Sequence, residues 1–241
     1  MTKRDKMEEV EQTVLSLPND SIRTMPIKFN SHVFYLDEDV GDPSMYRDIT
    51  HMLLTCSPED TVSIIINSCG GRLDSACQLM EAIEACQGKV QATVIGAAYS
   101  AASMIACVVP EVRITDSAEM MIHTAAYGTV GTVPNVKAHT DFITAQVNNL
   151  IDKVYVDFLT PDEIRQLKNG KEFWFGAEEA RRRFEHREKV RLSGYKKQLA
   201  AVKKEVQELV KDRKVKDEIA KKAIEKVKAK TTKKKKKPVK K

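Results

Sequence analysis

Short apolar runs alternate with amphipathic segments over the first three quarters of the chain. Five apolar-rich runs are typical of strands, and they read HVFYL, TVSIIIN, KVQATVIG, EVRITD and EMMIH. TVSIIIN is nearly continuous in branched apolar residues, as expected of a strand that is covered on both faces. Between the runs, apolar residues recur at helical spacing, for example at Leu73, Cys77, Met80 and Ile83. Strands that alternate with helices predict an α/β domain.

Capping residues bound the first predicted helices. Asp42 or Ser44 is placed to cap the helix over SMYRDITHMLLTC. Gly88 is the expected C-terminal stop of the helix that contains Leu73, because glycine is the commonest residue just past a helix end. A weaker helical pattern lies near the N-terminus, from Glu8 to Leu17.

The sequence from residue 133 to residue 186 predicts three helices and a short strand. A long amphipathic helix is expected from Val133 to Leu159. In TPDEIRQL, Thr160 is the expected N-cap, Pro161 suits the first helical position, and the Glu163 charge lies near the positive end of the helix dipole. The aromatic segment KEFWF predicts a strand that precedes another helix.

The chain is acidic over most of its length and strongly basic at its end. From residue 187 to residue 241 there are 23 Lys or Arg against 7 Asp or Glu, whereas the other residues hold 17 basic and 27 acidic side chains. With 241 residues and 42% hydrophobic content, the chain predicts one globular domain and an appendage. We expect an N-terminal segment (1–30), a catalytic domain (31–186) and a basic, partly helical or disordered tail (187–241).

Neither a signal peptide nor a membrane span is evident, so we expect a cytoplasmic protein. The five cysteines (Cys56, Cys69, Cys77, Cys86 and Cys107) are odd in number and show no CxxC or CxH spacing. They therefore predict buried thiols rather than disulfides or zinc ligands. No metal and no cofactor are expected.

Candidate chemistry lies in two short segments, GAAYSAAS (residues 96–103) and MIH (residues 121–123), each of which follows a predicted strand. Ser100 is a candidate nucleophile, since a hydroxyl at the start of a helix lies beside backbone N–H groups that can stabilise an oxyanion. Ser103, one helical turn onward, is the competitor, and we interpret it as a packed helix residue. His123 is the candidate base.

The segments IINSCGG, IGAAYSAAS, MIH and FWFGAEEA occur in the order and approximate spacing of the ClpP-type serine peptidases, the proteolytic subunits of ATP-dependent Clp proteases, including their shorter phage-encoded members. The resemblance covers residues 31–186. It implies an α/β fold of the ClpP or crotonase-like type, with repeated β-β-α units, and a homo-oligomeric ring or stacked rings around a proteolytic chamber.

The resemblance also assigns roles to single residues. Ser100 matches the nucleophile and His123 the general base, which takes the serine proton and returns it to the leaving amine. The acid of the triad falls on Glu172, where the family has aspartate, and Asp162 is an alternative in a poorer register. The oxyanion hole corresponds to the backbone amides of Gly71 and Ala101.

Two segments depart from the family pattern. Cys69 stands where many relatives have proline. Beyond His123, Thr124 and Ala125 replace the family's common QP. We expect the segment YGTVGTVP that follows to bind an extended peptide by strand addition.

The sequence thus predicts a serine endopeptidase that acts through an acyl-enzyme within an oligomeric chamber. Processing of scaffold or capsid proteins during phage head maturation is the favoured role. Turnover with an AAA+ unfoldase, a non-catalytic ring subunit with an impaired triad, and a crotonase-like acyl-CoA enzyme are the alternatives.

The tail carries an apolar stripe with heptad spacing, formed by Leu192, Tyr195, Leu199, Val202, Val206 and Leu209, and ends in a lysine run. The repeat is short for a coiled coil. Lysine runs attract phosphates through counterion release, so nucleic acid or another anionic partner is one expectation and a solvated tail is the other.

Overall fold

The structure is a computed structural model, which describes the fold of residues 29–234 and the side chains of residues 29–211. Between His186 and Arg187 the described residues divide into two units. The helix predicted from Glu8 to Leu17 lies outside the described residues. No helix in the described part of the chain has the length and apolar character that crossing a membrane requires.

The first unit is a mixed α/β fold that follows the order predicted from the sequence pattern. Its strands are β1 (Ser31–Leu36), β2 (Thr61–Ser68), β3 (Lys89–Tyr99), β4 (Glu111–Ile114), β5 (Glu119–Ile122) and β6 (Phe173–Gly176). Its helices are α1 (Arg47–Thr55), preceded by a 3₁₀ turn (Pro43–Tyr46), α2 (Leu73–Ala85), α3 (Ala101–Val108), α4 (Val133–Tyr155), α5 (Pro161–Lys168) and the start of α6 (Ala177–Lys234). Single strands alternate with helices as far as β4, and this order does not confirm repeated β-β-α units.

A six-stranded sheet brings the ends of β3 and β5 together. The strand order is β1-β2-β3-β5-β6, and β4 pairs with the first half of β3. All neighbours are parallel except β5 and β6, which are antiparallel. Because β3 and β5 run in the same direction side by side, the residues that follow them lie at one edge of the sheet, where α/β proteins commonly bind ligands.

The core is formed by the sheet and the helices that pack on it. Val62, Ile64 and Ile66 on β2 are at most 1% exposed. Helix α3 is buried on all sides from Ala101 to Cys107. A helix without a solvent-facing side needs small or apolar residues all round, and the AASMIAC sequence of α3 supplies them.

Most predicted caps are confirmed, but the prediction for Gly88 is wrong. Thr160 and Glu163 form a reciprocal capping box at the start of α5, and the Asp42 side chain accepts a hydrogen bond from the Ser44 backbone N–H. Helix α2 ends at Ala85, with Cys86 as its C-cap in an extended conformation. Gly88 does not have a positive φ. A Cβ at Gly88 would lie 2.8 Å from the Asp60 carbonyl oxygen, so its small size serves close loop packing instead.

An arginine between two carboxylates fixes the elements around β6. The Arg183 guanidinium bonds Glu163 at 2.8 Å and Glu179 at 2.6 Å, and it lies 4.5 Å from the centre of the Phe175 ring. Hydrogen bonding from Arg183 lowers the pKa of Glu163 to about 2. This ion pair therefore joins α5 to the first turns of α6 and to β6, the strand that Glu172 precedes.

Candidate active site

Ser100 occupies a sharp turn between β3 and α3. Its backbone has φ 53° and ψ −120°, and within the described residues it is the only non-glycine residue with positive φ. Such a conformation costs about 1–3 kcal/mol and clusters at functional sites. Serine nucleophiles of α/β-hydrolases sit on strained strand-to-helix turns of this kind, which expose Oγ.

His123 lies directly beside Ser100. It follows β5, whose residues Met120 and Met121 pair with Ala98 and Tyr99 of β3. The Ser100 backbone N–H donates a 2.8 Å hydrogen bond to the Met121 carbonyl, which fixes the two strand ends together. His123 Nε2 lies 2.7 Å from Ser100 Oγ. A neutral imidazole with its proton on Nδ1 accepts the serine hydroxyl proton through Nε2 in this geometry.

Glu172 lies opposite His123 in the strand register, without a hydrogen bond between them in the described part of the chain. The antiparallel ladder pairs Ile122 with Phe173, and one further step of this register sets His123 opposite Glu172. The Glu172 side chain is exposed, and within residues 29–211 no hydrogen bond or salt bridge joins it to His123. The backbone of the predicted acid thus lies at the site, but its carboxylate is not bonded to His123.

Asp162, the alternative acid, belongs to another part of the surface. It lies in the first turn of α5 and bonds Arg165 at 2.7 Å. Its carboxylate is exposed and already paired on its own helix.

Two backbone amides face the same cavity as Ser100. Ala101 is the first residue of α3, and Gly71 lies in the turn before α2. Neither amide N–H donates a hydrogen bond to any described residue. Since an unpaired N–H at a helix start carries a positive partial charge, the two amides are suited to bind an oxyanion.

Gly70 and Gly71 hold this turn against its neighbours. Gly70 has φ +90°, and a Cβ there would lie 2.5 Å from the Tyr99 carbonyl oxygen and 2.8 Å from Ser100 Cβ. The Gly70 carbonyl accepts a 2.7 Å hydrogen bond from Val40 N–H, and Arg72 N–H donates to the Val40 carbonyl at 2.8 Å. Hydrogen bonds to Val40 thus position the glycine pair directly against the Ser100 turn.

A cavity of about 700 Å³ opens beside Ser100 and His123. Apolar residues from α3 and α4 line it, and Asp39 and Arg72 add charged side chains to the lining. A cleft of this size, mostly apolar and with a few polar groups, is typical of a substrate site. The apolar residues are Met104, Val147, Leu150 and Ile151.

Ser103 is buried behind the site and does not line the cavity. It is 0% exposed, and its Oγ donates a 2.7 Å hydrogen bond to the Ser100 carbonyl. The hydroxyl of Tyr155, from α4, lies 2.8 Å from Ser103 Oγ. Burial raises the pKa of Tyr155 well above its usual value, so its hydroxyl stays protonated and donates to Ser103. These two side chains hold the carbonyl of the strained turn in place.

Sequence reasoning missed Tyr155 and Asn67. Asn67 Oδ1 accepts a 3.0 Å hydrogen bond from Ala97 N–H, where the register between β2 and β3 shifts. Asn67 Oδ1 also lies so close to Gly96 that no Cβ fits there. The available signals were a tyrosine within the apolar stripe of α4, whose hydroxyl needs a buried partner, and an asparagine at a strand end.

The segment between His123 and α4 contains no strand in this structure. Residues 124–132 are irregular, and Val130 is fully exposed. A Cβ added at Gly128 would meet no atom within 4 Å. Peptide binding by strand addition along this segment stays a prediction.

The chain matches one known protein family over most of its length. Residues 22–183, about two thirds of the chain, match the protein family described as Clp protease. The matched range contains every residue of the candidate site. A search of curated proteins found no match to the chain.

Proposed function

Because the chain belongs to the Clp protease family, whose members are serine peptidases that act on proteins as oligomeric rings, we propose that it hydrolyses peptide bonds through an acyl-enzyme on Ser100. The observation that carries the proposal is the 2.7 Å contact between Ser100 Oγ and His123 Nε2 at the wall of an open cavity.

In the proposed first step, His123 Nε2 takes the Ser100 proton as Oγ attacks the scissile carbonyl carbon. The carbonyl oxygen becomes an oxyanion, which accepts hydrogen bonds from the N–H groups of Gly71 and Ala101. One such donor is worth about 10²–10³ in kcat. The protonated imidazole then gives its proton to the leaving amine, and the acyl group stays on Ser100.

In the second step, water enters where the amine has left. His123 accepts a proton from this water, and the resulting hydroxide attacks the acyl carbon. Collapse of the second tetrahedral intermediate breaks the bond to Ser100 Oγ, which recovers its proton from His123. The same base and the same two amides therefore serve both steps.

Reaction with a fluorophosphonate tests this proposal. The assembled full-length protein is expected to carry one adduct per chain, and mass spectrometry of a digest is expected to find it on Ser100. Such reagents require a serine activated by a neighbouring base, so the unactivated serines of the same chain serve as internal controls. Absence of an adduct from the assembled protein would overturn the proposal.

Glu172 is the proposed acid, and it must swing inward to reach His123 Nδ1. In the family an aspartate serves as the acid at the corresponding position, and glutamate, with one more methylene, carries its carboxylate at least as far. A carboxylate there orients the imidazole and stabilises its cation.

Replacing Glu172 by glutamine is expected to lower kcat by about 10²–10⁴-fold, because the imidazolium then loses its negative partner. Glu172→Asp is expected to keep activity within about tenfold of the original chain, since it restores the family's residue. Glu178→Gln, an exposed glutamate in the first turn of α6, is the matched control. Initial rates on a fluorogenic peptide measure all three, and full activity in Glu172→Gln would remove this residue from the triad.

The absence of a hydrogen bond between Glu172 and His123 within the described residues favours one second candidate function, a non-catalytic ring subunit. In that case the assembled protein carries no adduct and cleaves no peptide, although it still forms the oligomer. Sedimentation of the assembled chain, combined with the fluorophosphonate reaction, separates the two functions.

For the biological role, we propose processing of scaffold or capsid proteins during phage head maturation. Support comes from the long basic segment that follows the matched residues. General degradation of proteins gives such a segment no role. Cleavage of unfolded protein by the assembled chain alone favours this role. A strict requirement for an AAA+ ATPase favours turnover with an unfoldase instead.

The same basic segment supports an anionic partner such as nucleic acid. In the second unit, the stripe from Leu192 to Leu209 is exposed, and lysines such as Lys196 and Lys203 lie beside it. Contacts between lysine and phosphate weaken steeply as salt rises. Binding to nucleic acid that does not change with salt would exclude this contact.

A further inference from the structure

Three potential metal ligands meet at the sheet edge opposite Ser100. His32 lies on β1, Cys56 is the C-cap of α1, and Asp60 immediately precedes β2. One ligand atom from each lies within 4.8 Å of the other two. Ser100 follows the end of β3, whereas these residues lie where the parallel strands β1 and β2 begin. The cluster is therefore separate from the catalytic cavity.

Asp60 is a buried carboxylate without a positive partner. Its residue is 5% exposed, and no Lys, Arg or His among the described residues forms a salt bridge with it. All four of its hydrogen bonds come from N–H or O–H donors, as expected of an ionised carboxylate, which can only accept. Buried charges in proteins are usually paired or bound to a metal ion.

Four hydrogen bonds hold the Asp60 carboxylate in place, and one of them comes from an exposed side chain. Oδ2 accepts from the backbone N–H and the hydroxyl of Ser57, at 3.0 and 2.7 Å. Oδ1 accepts from the backbone N–H of Asn30 at 2.6 Å and from its side-chain amide at 3.0 Å. Because Asn30 is exposed, its amide can turn to water and free one lone pair of Oδ1. The remaining bonds would orient the carboxylate, as hydrogen bonds to metal ligands commonly do.

A second thiol lies at the same edge. Cys86 is the C-cap of α2, and the loop after it packs on the loop before β2, since Lys89 N–H donates to the Asp60 carbonyl at 2.8 Å. The Cys56 and Cys86 side chains are neighbours and interact.

We propose that His32, Cys56 and Asp60 bind a zinc ion, with Cys86 as the fourth ligand. One imidazole nitrogen, two sulfurs and one carboxylate oxygen form a donor set that suits Zn²⁺ and does not suit Mg²⁺ or Ca²⁺. Tetrahedral zinc needs ligand atoms about 3–4 Å apart, so His32, Cys56 and Asp60 close on an ion with shifts of about 1 Å or less. Cys86 does not lie within 4.8 Å of all three, so its side chain has to move further to complete the site. The ion would neutralise Asp60 and tie β1 to the C-terminal ends of α1 and α2.

The first test uses the unchanged full-length protein, stripped of metal with a chelator under reducing conditions. After incubation with zinc sulfate and removal of the excess, elemental analysis is expected to find one zinc per chain. Cobalt in place of zinc is expected to give a thiolate-to-metal charge-transfer band in the near ultraviolet. Less than stoichiometric zinc, or a cobalt spectrum without thiolate bands, would overturn the site. A disulfide between Cys56 and Cys86 in the freshly purified protein would do the same.

Ligand variants supply the second test. Cys56→Ser and His32→Ala are each expected to weaken zinc affinity at least about 100-fold in competition with a chromophoric chelator, because each removes one of the few bonds that hold the ion. Cys77→Ser and His51→Ala lie outside the cluster and are the matched controls. Unchanged affinity in both Cys56→Ser and His32→Ala would rule out the proposed ligands. The fluorophosphonate reaction at Ser100 reports on the peptidase separately, so failure of one proposal is distinguishable from failure of the other.

Discussion

Replacing Ser100 by alanine is expected to abolish peptide hydrolysis, with kcat falling by about 10⁶-fold, as is usual when a triad loses its nucleophile. His123 then has no hydroxyl to activate, and only the two amides and substrate binding remain. The folded structure is expected to survive, although alanine at φ 53° keeps the strain of the turn without its function. Initial rates on a fluorogenic peptide, with the assembled full-length protein, measure the effect.

Ser103→Ala is the decisive control for the nucleophile. Ser103 is buried and lies one helical turn from Ser100, and the change removes its bonds to the Ser100 carbonyl and the Tyr155 hydroxyl. We expect a loss of about 1–3 kcal/mol in the free energy of unfolding, since a buried hydroxyl is left without its partner. Reaction with a fluorophosphonate should persist. If Ser100→Ala still hydrolysed peptide and Ser103→Ala no longer reacted with the fluorophosphonate, the nucleophile would be Ser103 and not Ser100.

The neighbouring positions of Ser100 and His123 follow from features that a sequence displays. Both residues come after short apolar runs, and buried parallel strands end at a common edge of the sheet. Because β3 and β5 are neighbouring parallel strands, the side chains of Ser100 and His123, which follow them, must lie close together. The oxyanion-hole positions, Gly71 and Ala101, rest instead on the family resemblance, and they stay a prediction.

Features that depend on side chains far apart in the sequence were not predictable. Tyr155 reaches Ser103 from α4, and its apolar neighbours in the sequence mark it only as a core residue. The cysteines show no motif spacing, so the sequence argued against a metal, whereas the fold gathers Cys56 with His32 and Asp60. Loop packing, not local sequence, creates that cluster.

Glu172 and Gly88 show two further limits of prediction from the sequence. The antiparallel register fixes the backbone of Glu172 opposite His123, but the direction of a long exposed side chain depends on partners that a local sequence does not specify. Gly88 fits the sequence pattern of a helix stop. Its small size is needed instead because the Asp60 carbonyl lies against it.

Gly70 packs directly against the turn that carries Ser100. We expect Gly70→Ala to lower kcat/KM by about 10²-fold or more. A Cβ at this position would lie 2.5 Å from the Tyr99 carbonyl, 2.8 Å from Ser100 Cβ and 2.9 Å from the Ala101 nitrogen. The new methyl group must therefore displace Ser100, the proposed nucleophile, or Ala101, whose amide is a proposed oxyanion donor. Misplacement of reacting groups by about 1 Å costs about 10²-fold in rate.

Gly170→Ala is the matched control, because Gly170 has φ +91° against +90° for Gly70. A Cβ at Gly170 meets no atom within 4 Å, so this change carries only the cost of a left-handed residue, about 1–2 kcal/mol of stability. Denaturant unfolding and peptide hydrolysis, measured on both variants, separate that common cost from the displacement of Ser100. Equal losses of stability in the two variants, with activity retained in Gly70→Ala, would show that the catalytic turn tolerates a side chain at this position. Activity lost only in Gly70→Ala would tie catalysis to the close approach of the glycine pair to Ser100.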